Sequence, residues 1–242
     1  MKSSEIKKKI ITFQQQINVV ADGQFGPKSE TALQCSKYRL KLLVPAFKRH
    51  LPVHPKATDE TINKVVETLA EEIYNPVYMA YILATIYHET AGTFLPIEEY
   101  GKGKTKKYGQ VYDIGTEQCG YCNGQDNSTY RIRDYPNLYY GRGYVQLTWF
   151  DNYKKFGDLL NIDLLGYPKK ACEPDIATKI TILGMTKGLF TGYSLSRAFK
   201  NHGLVDTDWL NARKIINGTD KDAKIAAEAK IFLEHLYLDS MI

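Results

Sequence analysis

The sequence has little that would carry the chain into or across a membrane. None of its 242 residues fall in an apolar window approaching the length of a spanning helix. The opening stretch, MKSSEIKKKIITFQQQ, is basic, but its apolar run covers only Ile10 to Phe13 before glutamines follow. No secretory signal is therefore expected. Arginine-rich helices and basic-aromatic motifs are missing too, which argues against a nucleic-acid partner. No internal repeat or low-complexity tract points to a solenoid or a disordered array. Cysteine is scarce, and of Cys35, Cys119, Cys122 and Cys172 only the Cys119-Gly-Tyr-Cys122 pair has informative spacing. One such pair falls short of a structural zinc site, which needs two further ligands. Reduced, merely structural thiols are expected, with a local zinc or disulfide staple as the alternative.

An excess of charge is also small. There are 32 basic and 27 acidic residues, a net charge of +5. That suits an anionic polymer partner without requiring one. What the chain does have in quantity is tyrosine, 18 residues in all. A tyrosine ring can cover a pyranose face while its hydroxyl stays wet, although most of these side chains belong to ordinary core and surface.

The length accommodates one well-packed domain and a small appendage. Residues 1–45 are expected to form a small helical unit and residues 46–242 the main domain. Ile6, Ile10, Ile11, Phe13 and Ile17 recur at helical spacing. They are followed by Asp22-Gly23-Gln24-Phe25-Gly26-Pro27-Lys28-Ser29-Glu30, with Pro27 and Ser29 where a second helix should start. After a proline-bearing loop at Leu51 to Lys56, a helix is predicted from Asp59 with Ile62, Val65, Val66, Leu69 and Ile73 on one face. Asn75-Pro76 then reads as an N-cap and first-turn proline.

The stretch that organises the chain is YMAYILATIYHETAGTFLPIEEY, Tyr78 to Tyr100. An almost wholly apolar helix ends at a carboxylate, Glu89. The small residues Thr90 to Thr93 form a turn, and Glu98 and Glu99 follow. Burial and the negative end of the helix dipole both favour the protonated form of a carboxyl, as a general acid requires. A second carboxylate on the loop beyond is free to stay ionised. Next to these acids lies a basic loop, Gly101 to Lys107, whose bland role is a solvated face. A small hairpin or sheet is expected between residues 100 and 138, with Tyr130 to Arg133 as a possible strand.

Tyr139-Tyr140-Gly141-Arg142-Gly143-Tyr144-Val145-Gln146-Leu147-Thr148-Trp149 comes next. Glycines flanking Arg142 permit close backbone approach, and its guanidinium can brace a carboxylate. If the stretch is extended, Gln146 and Thr148 face one side. The remainder reads as helical, with apolar stripes at Phe150, Tyr153, Phe156, Leu159 and Leu160, at Ile176, Ile180, Leu183 and Leu189, and at Ile225, Ala229, Phe232, Leu233 and Leu236. A further helical run, Trp209 to Ile216, ends at Asn217-Gly218. The fold class is mainly α, with one small β-rich region after the acids.

Taken together, His88-Glu89-Thr90-Ala91-Gly92, the Tyr139–Trp149 run, Asn152-Tyr153 and Ala212-Arg213-Lys214-Ile215-Ile216-Asn217-Gly218 resemble glycoside hydrolase family 19 over roughly residues 58 to 238. That family includes chitinases and the lysozyme-like endolysins of bacteriophages. The resemblance implies a lysozyme-like α+β fold with a cleft, and inverting hydrolysis of β-1,4 bonds between N-acetylated sugars. It places the general acid on Glu89 and the general base on Glu98, with Glu99 the rival base. It places the hydroxyl beside the attacking water on Thr148 and sugar-contacting amides on Gln146, Asn152 and Asn217. Arg142 is structural support. A threonine that some endolysins use falls at Lys104, with Thr105 beside it. The loop Asp22 to Ala32 resembles that of a small peptidoglycan-binding module. The alternative is a helical hairpin that only packs on the main domain.

The resemblance implies an endolysin-type hydrolase of peptidoglycan. The alternatives are a chitinase, a wall-binding protein without catalysis and, more distantly, a thiol enzyme centred on Cys119 and Cys122. It implies no metal or other cofactor, a monomer, no nucleic acid and no stable membrane association. Cytoplasmic accumulation, with release to the wall through a pore or at lysis, is expected. His88 reads more simply as a packed side chain fixing the helix end than as a third catalytic group.

Overall fold

The computed structural model describes residues 1–102 and 139–241. Lys104, Thr105, Cys119, Cys122, most of the basic loop and the expected strand at Tyr130 to Arg133 lie outside these residues. In chain order the described elements are α1 (Ser3–Gln16), α2 (Pro27–Cys35), β1 (Tyr38–Leu42), α3 (Val44–Phe47), α4 (Asp59–Ala70), α5 (Pro76–Glu89), β2 (Ile97–Glu98), β3 (Arg142–Gly143), α6 (Phe150–Leu160), α7 (Pro174–Lys187), α8 (Leu195–Ala198), α9 (Asp206–Asn211), α10 (Asp222–His235) and β4 (Leu236–Ser240). The protein is mainly α, as the apolar periodicity predicts. Residues divide into two compact units, Met1–Phe94 with Thr181–Ile242, and Leu95–Ile180. The division expected at residue 45 is not a boundary between them.

The first unit is built on α5 packed against α10. Asn75 caps α5, its Oδ1 accepting from Val77 N at 3.0 Å and Tyr78 N at 3.4 Å. Nearly every position from Pro76 to Ile86 is buried, so this helix is covered all round rather than on one stripe. Phe232 of α10 stacks on Phe47 of α3 at 4.5 Å, and Phe94 meets both rings edge-on. Each such side chain, once buried, contributes about 1.5–3 kcal/mol.

The N-terminal helices belong to this unit. Gln14, 1% exposed, clamps the glycine-rich loop. Its Nε2 donates to Asp22 Oδ1 (2.8 Å), Gln24 O (3.1 Å) and Ser29 Oγ (3.3 Å), and its Oε1 accepts from Gly23 N (2.8 Å). Asn75 Nδ2 then donates to Phe25 O and Glu30 Oε1, both at 2.9 Å. One side chain thereby caps the central helix and holds the loop. The hairpin packs on the main body through the residues that make its loop distinctive.

Two differences from the sequence-based expectations have simple causes. β1 and β4 form an antiparallel pair with Leu40 opposite Leu238, a sheet not expected from helical stripes. The alternation of buried Leu40 and Leu42, and of Leu236 and Leu238, is the period-2 signal that marks it. In α6, Tyr153 and Phe156 are buried, but Leu159 is 56% exposed. The helix has turned that position to solvent near its left-handed end at Asn161.

In the second unit β2 pairs antiparallel with β3, placing Ile97 opposite Gly143 and Glu98 opposite Arg142. Arg142 and Leu147 exchange both backbone hydrogen bonds, at 3.1 and 2.8 Å, which closes Gly143 to Gln146 into a tight turn. Gly143 has φ +83°, and a Cβ there would lie 2.6 Å from Ala171 O. Only glycine suits that conformation and that approach.

Candidate active site

In the first unit the side chain of interest is Glu89, the last residue of α5. The helix stops because Thr90, fully buried, turns its hydroxyl back onto Ile86 O at 2.7 Å and accepts from Phe94 N at 3.2 Å. Gly92, at φ +74°, then donates to Tyr87 O at 2.7 Å. The Thr-Ala-Gly that follows Glu89 is thus a helix terminator of the left-handed type. The expected burial of the carboxylate is met by an opposite charge. Arg213 Nη1 donates to Glu89 Oε1 at 2.8 Å, with the guanidinium 5% and the Glu89 side chain 18% exposed. Arg213 is itself held by Asp220, whose carbonyl accepts from Nε at 3.2 Å and whose Oδ1 lies 3.7 Å from Nη2. Glu89 Oε2 has no hydrogen-bond partner among the described residues. Asn217 is one turn beyond Arg213, its backbone N donating to Arg213 O, and its side chain is exposed at the unit's surface.

In the second unit Glu98 is the centre of a denser network. Tyr140 Oη donates to Glu98 Oε1 at 2.6 Å and Arg142 Nε donates to the same oxygen at 3.2 Å. Lys102 Nζ lies 3.5 Å from Oε2. Arg142, with no exposed surface, stacks 3.7 Å over the Tyr140 ring. Its Nη1 donates to Tyr153 Oη at 3.0 Å, and Tyr153 Oη donates to Tyr140 O at 2.8 Å. Burial by itself would push the Glu98 carboxyl up, but the Tyr140 hydroxyl, Arg142 and Lys102 together hold it below the usual carboxylate range. Burial likewise pushes the Tyr153 hydroxyl up to about 12, so it stays protonated and available to donate. Arg142 braces a carboxylate, as the residue pattern predicts, and does so from the strand position directly opposite.

Glu99 is the other acid of the neighbouring pair. Its Oε2 accepts from Gly141 N at 3.2 Å and its backbone N donates to Gly141 O at 2.7 Å, so it helps pair the strands. Gln146 is not in extended backbone. It sits at φ +54° in the turn, and its Nε2 donates to Ile97 O and Gly143 O, both at 3.2 Å. The alternation expected of Gln146 and Thr148 is corrected accordingly, because the tight turn breaks the period of two. Thr148 is half-buried, and its carbonyl accepts from Asn152 Nδ2 at 3.0 Å. Trp149 follows at φ +76° with 37% of its surface exposed, and Tyr100 is fully exposed.

Within the first unit, then, Glu89 and Asn217 share one neighbourhood through Arg213. Within the second, Glu98, Arg142, Gln146, Thr148 and Asn152 occupy the strand pair, its turn and the start of α6. Residue reasoning missed Arg213 as the partner of Glu89 and Tyr140 as the donor to Glu98. Both stand inside the motifs that were singled out, and a cation within a buried stretch was the available signal for Arg213.

No known family of sequences matches the chain, and no curated protein matches it. Among solved structures it is similar to chitinase C from Streptomyces griseus HUT6037, at 21% identity and TM-score 0.48, over 84% of this chain and 76% of that one. A mutant of chitinase C gives the same identity and TM-score over 93% of its length. A bacterial family 19 chitinase gives 18% identity and TM-score 0.44 over 78% of this chain and 92% of its own. In structure, the chain is similar to family 19 chitinases.

Proposed function

We propose that the protein is a glycoside hydrolase of the family 19 type, cleaving β-1,4 bonds of peptidoglycan with inversion. Glu89 is the general acid and Glu98 the general base. The observation that carries this is the network that holds Glu98 charged. Glu98 is held charged by a hydroxyl, a guanidinium and an ammonium, the state a base needs at the outset. Glu89 has one oxygen fixed by Arg213 and the other open.

In the reaction the open Oε2 of Glu89 gives its proton to the glycosidic oxygen as the bond to the anomeric carbon breaks. The carboxylate left behind is stabilised by the Arg213 guanidinium already in place, so charge develops where a donor waits for it. Glu98 takes a proton from the water that attacks the opposite face of the sugar, with the Thr148 hydroxyl orienting that water. Inversion calls for the two carboxyls to lie about 6.5–9.5 Å apart. Gln146, Asn152 and Asn217 are proposed to contact sugar, with Gln146 also fixing the turn that carries Thr148. Arg142 and Tyr140 position Glu98. The short interval in sequence from Glu89 to Glu98, nine positions, and the module-like N-terminal loop favour peptidoglycan over chitin.

Mass spectrometry of muropeptides after digestion tests bond, chemistry and residues together, with Glu89→Gln and Glu98→Gln as controls. The expected result is glycan fragments with new reducing ends from the wild type and far fewer from either variant. Robust cleavage of chitin with walls left intact would reassign the substrate. Fragments arising equally from both variants would remove the proposed acid and base. Binding to wall with no reducing ends from the wild type would leave only the non-catalytic alternative.

A further inference from the structure

A second acidic group lies against the residue that precedes the proposed acid, and the mechanism above does not use it. Glu228, on α10, is 4% exposed. Its Oε2 is buried without a hydrogen-bond partner, and its Oε1 is 3.8 Å from Lys224 Nζ. Facing it across the contact between α5 and α10, 3.9 Å from Oε2, is Nδ1 of His88. His88 immediately precedes Glu89. A buried carboxyl oxygen with no partner is costly and calls for a physical explanation. The geometry supplies one, because a proton on Oε2 would point at the imidazole nitrogen and needs only a small approach to donate to it.

We propose that His88 and Glu228 hold one proton between them across the α5–α10 interface, and that this proton sets the charge against which Glu89 works. Both are positioning residues, and the proposal rests on Glu89 being the acid. Burial pushes the Glu228 carboxyl up, with Lys224 opposing it. Burial, with Arg213, Lys221 and Lys224, pushes the His88 imidazole down, while Glu89 opposes this. The titratable and charged groups around the pair are Lys224 on α10, Lys221 at its start, Arg213, Glu89 and, beside Glu228, the neutral Tyr87 hydroxyl. These environments favour the neutral acid and the neutral imidazole, with Nδ1 accepting and Nε2 carrying the ring proton. As pH rises the pair releases its proton to solvent and becomes negative. A negative charge there helps Glu89 keep its proton, so the acid stays competent further into the alkaline range.

Glu228→Gln tests this, because the amide can still donate to Nδ1 but cannot ionise. Carbon NMR of labelled carboxyls and nitrogen NMR of His88, titrated on the intact protein, read the pair directly and need no substrate. In the wild type the Glu228 carboxyl should titrate clearly above ordinary glutamates. In Glu228→Gln, which cannot become negative beside His88, the alkaline limb of kcat/KM should move down. If that variant does not fold, the wild-type titration decides: an ordinary Glu228 midpoint, or His88 carrying its proton on Nδ1, overturns the proposal. A His88 midpoint and an alkaline limb that are the same in variant and wild type also overturn it. Failure of the hydrolase assignment shows separately, as absence of glycan cleavage by the wild type at every pH.

Discussion

Replacing Tyr140 by Phe removes one oxygen from the Glu98 site and leaves the ring on which Arg142 stacks. The lost interaction is a 2.6 Å hydrogen bond from Tyr140 Oη to a charged carboxylate. Such bonds contribute about 1.5–3 kcal/mol when well shielded. The Glu98 side chain is 26% exposed, so solvent screens part of that and the low end applies. About 1.4 kcal/mol corresponds to one pH unit. Glu98 must be ionised to act as base, and its carboxyl is held below the usual range, so activity disappears only as pH falls through that lowered value. Tyr140→Phe raises it, and the acid limb of kcat/KM should move up by about one unit. The sign for stability runs the same way: the contribution of Glu98 is present above its unfolded pKa and is lost as pH falls through the folded one, so the variant should lose it at higher pH. The assay is a pH profile of glycan cleavage paired with circular dichroism. An acid limb within a few tenths of a unit of the wild type, with the fold intact, would refute the assigned role of Tyr140.

Three further outcomes follow from the same coordinates. Glu89→Gln should lower kcat by about 10²–10⁴-fold while binding of glycan, measured by sedimentation with wall, persists. Asn75→Ala removes an α5 cap and two hydrogen bonds to the N-terminal loop, and should cost about 2 kcal/mol in a denaturant titration. It would show that the hairpin is part of the main body, whereas an unchanged midpoint would mean the two are energetically separate. Gly143→Ala forces a Cβ against Ala171 O at positive φ, and should destabilise by about 1–3 kcal/mol and misplace Arg142, visible as lowered kcat with the acid limb raised.

Local rules made much of this fold legible. The Asn75-Pro76 cap and the end of α5 at Glu89 follow from capping chemistry and helical period, and both stand at the expected residues. That Arg142 braces a carboxylate was likewise readable, because glycines on both sides of an arginine announce close approach; that the carboxylate is Glu98 comes from the strand register. The β1–β4 pair was not, since its strands are some two hundred residues apart and pairing across that span leaves no local mark beyond a short alternation. Arg213 escaped notice for a related reason. Its partner Glu89 is 124 positions away, and only the fold brings guanidinium and carboxylate together. Gln146 was misplaced because a tight turn, not an extended strand, satisfies the backbone of Arg142 and Leu147.

The most direct measurement is the anomeric configuration of the first product. Proton NMR in the opening minutes of digestion of an N-acetylated β-1,4 glycan should show the new reducing end as the α anomer, before mutarotation mixes the two. A β anomer appearing first would mean that the bond is not broken by water activated at Glu98 opposite an acid at Glu89, and would contradict the account at its centre.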